Sequence, residues 1–179
     1  MITLVILDGF GINKSKYGNA IKLQGTPYLD KLKHFPHTEL LASGEAVGLS
    51  AGQMGNSEVG HLNLGAGRIV YQDLPKIDNE IATGNFFKNP ALNKTMDNCL
   101  AHNSSLHIMG LVSDGGVHSH INHLYALVDM AKNKGIENVY IHCFMDGRDT
   151  LRDSGVKFIE QLKAHIQGKA EIKSLCGRV

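Results

Sequence analysis

The sequence has no tryptophan, only three cysteines and four prolines, and almost no net charge. Each shortage excludes something. Cys99, Cys143 and Cys176 are odd in number, far apart and form no CxxC pair, which argues against a disulfide scaffold and for reduced thiols of a cytoplasmic protein. Lys and Arg number 18 against 17 Asp and Glu, with no run of like charge, so no global field draws in nucleic acid or an acidic membrane. The opening MITLVILDG is apolar for too few residues to span a membrane and lacks the basic flank of a secretory leader. No GxxxxGK[ST] loop is present and no GxGxxG follows a strand, which weakens nucleotide binding. Internal repeats, low-complexity tracts and Pro- or Ser-rich linkers are also missing. With 42% apolar residues, the chain is expected to form a soluble domain, or parts of two.

Glycine is abundant instead. Five of the 20 glycines, Gly52, Gly55, Gly60, Gly65 and Gly67, crowd into Ser50–Gly67. Such density marks backbone that takes positive φ or lets a ligand come close. Ser57 stands among them, flanked by Asn56 and Glu58, with His61 four residues on. From Ser57 the spacing of Val59 and Leu62 predicts a short helix that stops at Gly65. A serine at a helix start meets unpaired N–H groups and the positive end of the macrodipole, a setting that suits an oxyanion or a phosphate. The plainer reading makes Asn56 or Ser57 the helix cap. His61 shares the helical face of Ser57, either as a base for its hydroxyl or, more simply, as a hydrogen-bonded structural residue.

Ile2–Leu7 is a continuous β-rich apolar run, expected as a strand buried on both faces, and it stops at Asp8-Gly9-Phe10-Gly11. Thr26-Pro27 predicts a capped helix start, and Thr38–Ala42 a second strand. Helices are expected over Leu74–Ile81 and from Pro90, the latter with Leu92, Met96, Cys99 and Leu100 on one face. From Ser105 the rhythm becomes regular. Strands Leu106–Val112, Asn138–Phe144 and Ala170–Cys176 are separated by two amphipathic helices. The first turns Ile121, Leu124, Leu127, Val128 and Ala131 inward and stops at Gly135; the second carries Val156, Ile159, Leu162 and Ile166 and stops at Gly168. This is the pattern of a parallel α/β sheet with right-handed crossovers. A boundary between two units is expected near Arg68–Asp73, where the glycine-rich segment gives way to this rhythm.

Asp8, Asp114 with His118, the Asp146-Gly147-Arg148-Asp149 cluster and Arg178 each fall just past the carboxyl end of an expected strand. Open parallel sheets bind ligands at that edge. Asp8, held at a strand end, suits a hard divalent cation or a nucleophilic role; a turn or cap residue is its plain alternative. A metal shared by Asp8 and Ser57 would lower the pKa of the serine hydroxyl. His118, rather than His120 or His123 at the start of the following helix, is the expected donor to a phosphate or a hydroxyl. Arg148 and Arg178 suit bidentate recognition of carboxylate or phosphate, while Asp149 suits acceptance from sugar-like hydroxyls or acid–base work. A surface ion pair is the bland alternative for Arg148 and Asp149.

Taken in order, LDGFG at 7–11, GNSEVGHLNLGAGR at 55–68, YQDLPKI at 71–77, LVSDGGVHSH at 111–120 and FMDGRDT at 144–150 closely resemble one family, with CGRV at 176–179 beginning a further motif. It is the cofactor-independent (2,3-bisphosphoglycerate-independent) phosphoglycerate mutases of the alkaline phosphatase superfamily. The resemblance implies an α/β fold of mostly parallel sheets with helices on both faces. Residues 1–72 correspond to the N-terminal piece of an alkaline-phosphatase-like metal domain, and 73–179 to the first part of an inserted α/β transferase domain. It also implies interconversion of 3-phosphoglycerate and 2-phosphoglycerate, in glycolysis and gluconeogenesis, through a phosphoserine on Ser57. Two divalent cations are implied, commonly Mn2+ with Mg2+ or Co2+ as alternatives, and no 2,3-bisphosphoglycerate requirement. Asp8 and Ser57 match ligands of one metal; His118, Arg148, Asp149 and Arg178 match substrate-binding positions. The implied partners are phosphoglycerate and the remainder of the same polypeptide, in an enzyme that is monomeric and cytoplasmic. Family chains are much longer, so this stretch matches roughly their first third, and it is expected to be inactive alone because the metal ligands of the distant C-terminal half are missing. Rival readings are a phosphopentomutase or metal-dependent phosphatase of the same superfamily, against which the GNSEVGH, DGGVHSH and DGRD segments argue, and a non-catalytic phosphoglycerate-binding fragment.

Overall fold

The computed structural model describes residues 1–177 and divides into two units, Met1–Val70 and Tyr71–Val179. The first holds three helices, α1 (Ala20–Gln24), α2 (Pro27–Leu32) and α3 (Ser57–Ala66), and a 3-10 turn at Gly44–Val47. Its buried side chains are few: Val47, Leu49 and Val59 form one small cluster. Asn63, on α3, ties this unit together with its amide. Its Nδ2 donates to the Val47 carbonyl at 2.9 Å, and its Oδ1 accepts from the Val70 N–H at 2.7 Å.

The strands expected at Ile2–Leu7 and Thr38–Ala42 do not form. Ile2, Leu4 and Val5 stand exposed, as do Leu40 and Leu41. A strand exists only through ladder hydrogen bonds to a neighbour, and no described segment pairs with either run. The helix from Ser57 also runs one turn-step further than its glycines predicted, ending in the left-handed Gly67 (φ 62°) and passing through Gly65.

The second unit follows the expected rhythm. Helices α4 (Asp73–Ala82) and α5 (Pro90–Ala101) precede β1 (Leu106–Val112), α6 (Ile121–Asn133), β2 (Val139–Met145), α7 (Gly155–Ile166) and β3 (Glu171–Cys176). Asn89 caps α5 by accepting from the Ala91 and Leu92 N–H groups, with Pro90 at the first helical position. The strands pair in the order β1-β2-β3, all parallel, with Leu106 opposite Val139 and Ile141 opposite Ile172. A register shift beyond Ile141 puts His142 opposite Ser174.

Strand periodicity sends alternate residues to opposite faces. Val139, Ile141 and Cys143 are buried under the helices, with Val128 of α6 and Phe158, Leu162 and Ile166 of α7 packed on Ile141 and Cys143. Met96 and Cys99 of α5 join a second cluster around Leu106, Val139 and Ala131. The inward stripe of α7 runs Phe158, Leu162, Ile166 at four-residue spacing, whereas Val156, about 200° around the helix from Phe158, is exposed. Leu100 likewise lies outside the α5 stripe. Among the described residues, α5, α6 and α7 cover the face that carries Leu106, Ile141 and Cys143. The other face carries His107, Met109, Tyr140, His142 and Phe144. There His142 bridges strands, its Nε2 2.9 Å from His107 Nδ1 and its Nδ1 2.8 Å from Ser174 Oγ. No helix is long and apolar enough to cross a membrane among the described residues.

Leu162 is fully buried where α7 meets the sheet. Leu162→Ala is expected to destabilise the second unit by about 2–5 kcal/mol, read as a lowered urea midpoint in far-UV circular dichroism.

Candidate functional site

Because the three strands are parallel, their carboxyl ends Val112, Met145 and Cys176 share one edge, and the loops that follow converge there. A cleft of about 330 Å3 opens at this edge, bordered by Leu111, His118, Phe144, Asp146, Asp149 and Cys176. Its polar wall comes from two loops, the one after β1 carrying His118 and the one after β2 carrying Asp146 and Asp149; Arg148, in the same loop, does not line it. His118 Nε2 lies 3.6 Å from Asp149 Oδ2, an ion pair whenever the imidazole is protonated. His118 and Arg148 are exposed, and Asp149 is half-buried.

The organiser of this edge is the first residue of the Asp146–Asp149 cluster, to which the sequence alone assigned no role of its own. Asp146 Oδ1 accepts from the backbone N–H groups of Gly147 (2.7 Å), Arg148 (3.0 Å) and Asp149 (3.0 Å). Its Oδ2 accepts from the hydroxyl of Ser113, which is fully buried at the end of β1, at 2.7 Å. Burial by itself pushes the Asp146 carboxyl up. The Arg148 N–H, the Ser113 hydroxyl and the Asp149 and Gly147 N–H groups outweigh it and hold the carboxyl well below the usual carboxylate range. The first loop fits against the second at Gly115, where an added Cβ would lie 3.2 Å from Asp149 Cβ and 3.3 Å from Asp146 Oδ2. Thr150 Oγ1, in the same loop, is buried with no hydrogen-bond partner. In sequence, Asp146-Gly147 reads as ordinary turn punctuation, so only the strand end before it hinted at this role.

In the first unit, the open choice at the start of α3 resolves. Asn56 is the cap: its side chain accepts from the Val59 N–H at 2.9 Å. Ser57 is then the first helical residue, exposed, with its hydroxyl free of capping. His61 Nδ1 lies 3.2 Å from Ser57 Oγ but 2.8 Å from the Ser57 carbonyl oxygen. A carbonyl oxygen only accepts, so Nδ1 carries the proton and donates it there. That leaves Nδ1 no lone pair for the Ser57 hydroxyl, which favours the structural reading of His61 over the base.

Gly55 explains part of the glycine density. A Cβ at this position would sit 1.7 Å from the Ala42 carbonyl oxygen, so only glycine lets the two backbones approach. At Gly60 an added Cβ meets nothing within 4 Å. Asp8 is exposed in a turn closed by the Phe10 N–H donating to the Leu7 carbonyl at 3.1 Å. Among the described residues, no group of three or more His, Cys, Asp or Glu stands arranged for a metal. Arg178 lies outside the described residues.

The family described as BPG-independent PGAM N-terminus (iPGM_N) matches residues 77–179. The chain belongs to this family. Curated relatives named 2,3-bisphosphoglycerate-independent phosphoglycerate mutase align along nearly all of it. That of Lachnoclostridium phytofermentans is 57% identical over 178 residues, covering 98% of this chain and 35% of the relative. That of Clostridium kluyveri is 56% identical over 180 residues, covering 99% and 35%. The crystal structure of Leishmania mexicana phosphoglycerate mutase at low cobalt concentration matches with a TM-score of 0.64 at 33% identity, over 84% of this chain and 29% of that one. The chain therefore spans about a third of the length of the curated relatives it matches. Within the family match fall His118, Arg148 and Asp149, together with Ser113 and Asp146.

Two stability predictions follow the packing. Gly55→Ala is expected to cost at least about 1–3 kcal/mol through forced backbone movement. Gly60→Ala is expected to be neutral or stabilising by up to about 1 kcal/mol, because it fills empty space on a helix; both are read by urea denaturation. A third prediction concerns acid. The Asp146 carboxyl is depressed in the fold, so its stabilisation is complete above its unfolded pKa of about 4 and fades as pH falls below it. Stability curves of wild type and Asp146→Asn should stay parallel from neutrality to about pH 5 and converge at lower pH.

Proposed function

We propose that the protein to which this stretch belongs is a phosphoglycerate mutase. It interconverts 3-phosphoglycerate and 2-phosphoglycerate through a phosphoserine on Ser57, without 2,3-bisphosphoglycerate. The observation that carries this reading is the cleft at the carboxyl edge of the sheet, where His118 and Asp149 from two different loops face each other across 3.6 Å. Membership of the family and the uncapped hydroxyl of Ser57 support it.

Each residue has a task in this reading. Ser57 Oγ attacks phosphorus, the bond from phosphorus to the 3-oxygen breaks, and glycerate stays bound. Glycerate then turns, its 2-oxygen attacks the phosphoserine, and the Ser57 oxygen leaves. Arg148 grips the carboxylate or phosphate through its planar fork, with Arg178 as its expected companion. Asp149 accepts from the glycerate hydroxyls and moves their proton, while His118 donates to the phosphoryl oxygens. Positioning and charge stabilisation are the main demands of phosphoryl transfer. Water must be kept from the phosphoserine, since its attack would release phosphate.

Two divalent cations, manganese foremost, belong to the proposed complete enzyme, with Asp8 and Ser57 on one of them. The described residues do not fit such a group by themselves. Two oxygen donors fall short of the six or so that a hard cation takes, so no step above is routed through it. We assign residues 1–72 to the metal-binding domain and 73–179 to the transferase domain, in keeping with the two units of the fold. The complete enzyme is proposed to work as a cytoplasmic monomer, bound to neither nucleic acid nor membrane.

An enolase-coupled assay of the full-length protein with 3-phosphoglycerate and manganese tests this. Turnover is expected, with loss of both turnover and phosphoserine in Ser57→Ala, and no turnover from residues 1–179 alone. Phosphate release without isomerisation would make it a phosphatase instead, and full activity of Ser57→Ala would remove that serine from the mechanism.

A further inference from the structure

We propose that Asp146 and Ser113 are positioning residues for the substrate site, one shaping the Arg148–Asp149 segment and the other locking that segment to the loop of His118. The inference rests on the reading of His118, Arg148 and Asp149 as substrate-binding groups.

The carboxylate of Asp146 is held by four donors, three N–H groups on Oδ1 and one hydroxyl on Oδ2. With Oδ1 spent on the backbone of its own loop and Oδ2 on Ser113, its role is to place the residues that carry those N–H groups. Three successive N–H groups aimed at one oxygen wrap the backbone of Gly147, Arg148 and Asp149 around it. The wrap sets where the Cα–Cβ bonds of Arg148 and Asp149 point. Gly147 adopts φ 144° in this turn, a conformation that L side chains rarely take.

Ser113 supplies the second half. It directly follows β1, as Asp146 directly follows β2. The 2.7 Å bond between them therefore clamps together two loops separated by 33 residues. The Ser113 carbonyl is held as well, accepting from the Ile121 N–H at 2.8 Å, which anchors the first loop to the start of α6. Gly115 packs against Asp149 and Thr150 without intervening atoms. The facing of His118 and Asp149 is a consequence of this brace, since neither side chain is bonded closely enough to hold the other. A charged acceptor suits the task better than a neutral one, because hydrogen bonds to an ionised group are roughly twice as strong.

The test uses the full-length protein, with kcat and KM for 3-phosphoglycerate measured per folded enzyme. Asp146→Ala and Ser113→Ala are expected to lower kcat/KM by on the order of a hundred-fold, as for an ångström-scale misplacement. Asp146→Asn keeps an oxygen for the three N–H groups and is expected to restore part of that loss. The deciding readout is a double-mutant cycle with Arg148→Ala. A positioning role predicts that Asp146→Asn costs much less once Arg148 is gone. Multiplying, independent losses would overturn the proposal, as would a wild-type kcat/KM in both Asp146→Asn and Ser113→Ala. Should Asp146→Ala fail to fold, the cycle runs on Asp146→Asn and Ser113→Ala. Wild-type KM in both Arg148→Ala and Asp149→Ala would instead overturn the substrate-site reading beneath it, a result distinct from additivity in the cycle.

Discussion

Four hydrogen bonds converge on the Asp146 carboxylate, and the geometry of the sheet edge depends on them. Parallel strands bring their carboxyl ends to one side, but that alone leaves each following loop free to take many paths. The bond from Ser113 joins the first loop to the second, and the three backbone N–H groups give the second its shape. The depressed Asp146 carboxyl is the electrostatic signature of this arrangement: donors surround the ionised form, and they outweigh the cost of burial. His118, Arg148 and Asp149 can then sit on these loops and still keep a defined arrangement.

The first unit solves a related problem with less material. Its described core is three side chains, so local contacts carry the placement of Ser57. Asn56 takes the capping bond, Gly55 lets the chain pass against Ala42, and Asn63 fastens α3 at Val47 and Val70. The outcome is a hydroxyl at a helix N-terminus that no capping bond consumes. His61, which shares its face, spends its Nδ1 proton on the Ser57 carbonyl. His61 Nδ1 is therefore not placed to take the Ser57 proton.

Elements whose signals are local were readable from the chain. Asn89-Pro90 marks a helix start because a side-chain acceptor and a ring-locked φ act within one turn. The strands from Leu106, Val139 and Glu171 came through as apolar runs between amphipathic helices, the spacing of a parallel sheet. Ile2–Leu7 misled for the opposite reason, since a strand requires a partner and composition cannot supply one. The inner stripe of α7 was off by a partial rotation, because three- and four-residue spacings both look helical until a sheet selects the face.

Residue chemistry and order alone marked Ser57, Asp8, His118, Arg148 and Asp149 and tied them to one family of mutases, because motifs of that specificity survive without coordinates. The tertiary structure settled which of Asn56 and Ser57 caps α3, since a cap is a question of which oxygen reaches which N–H. It also raised Ser113 and Asp146 from turn residues to the brace of the site. Their bond spans 33 positions of sequence, and only the pairing of β1 with β2 brings the two within 2.7 Å.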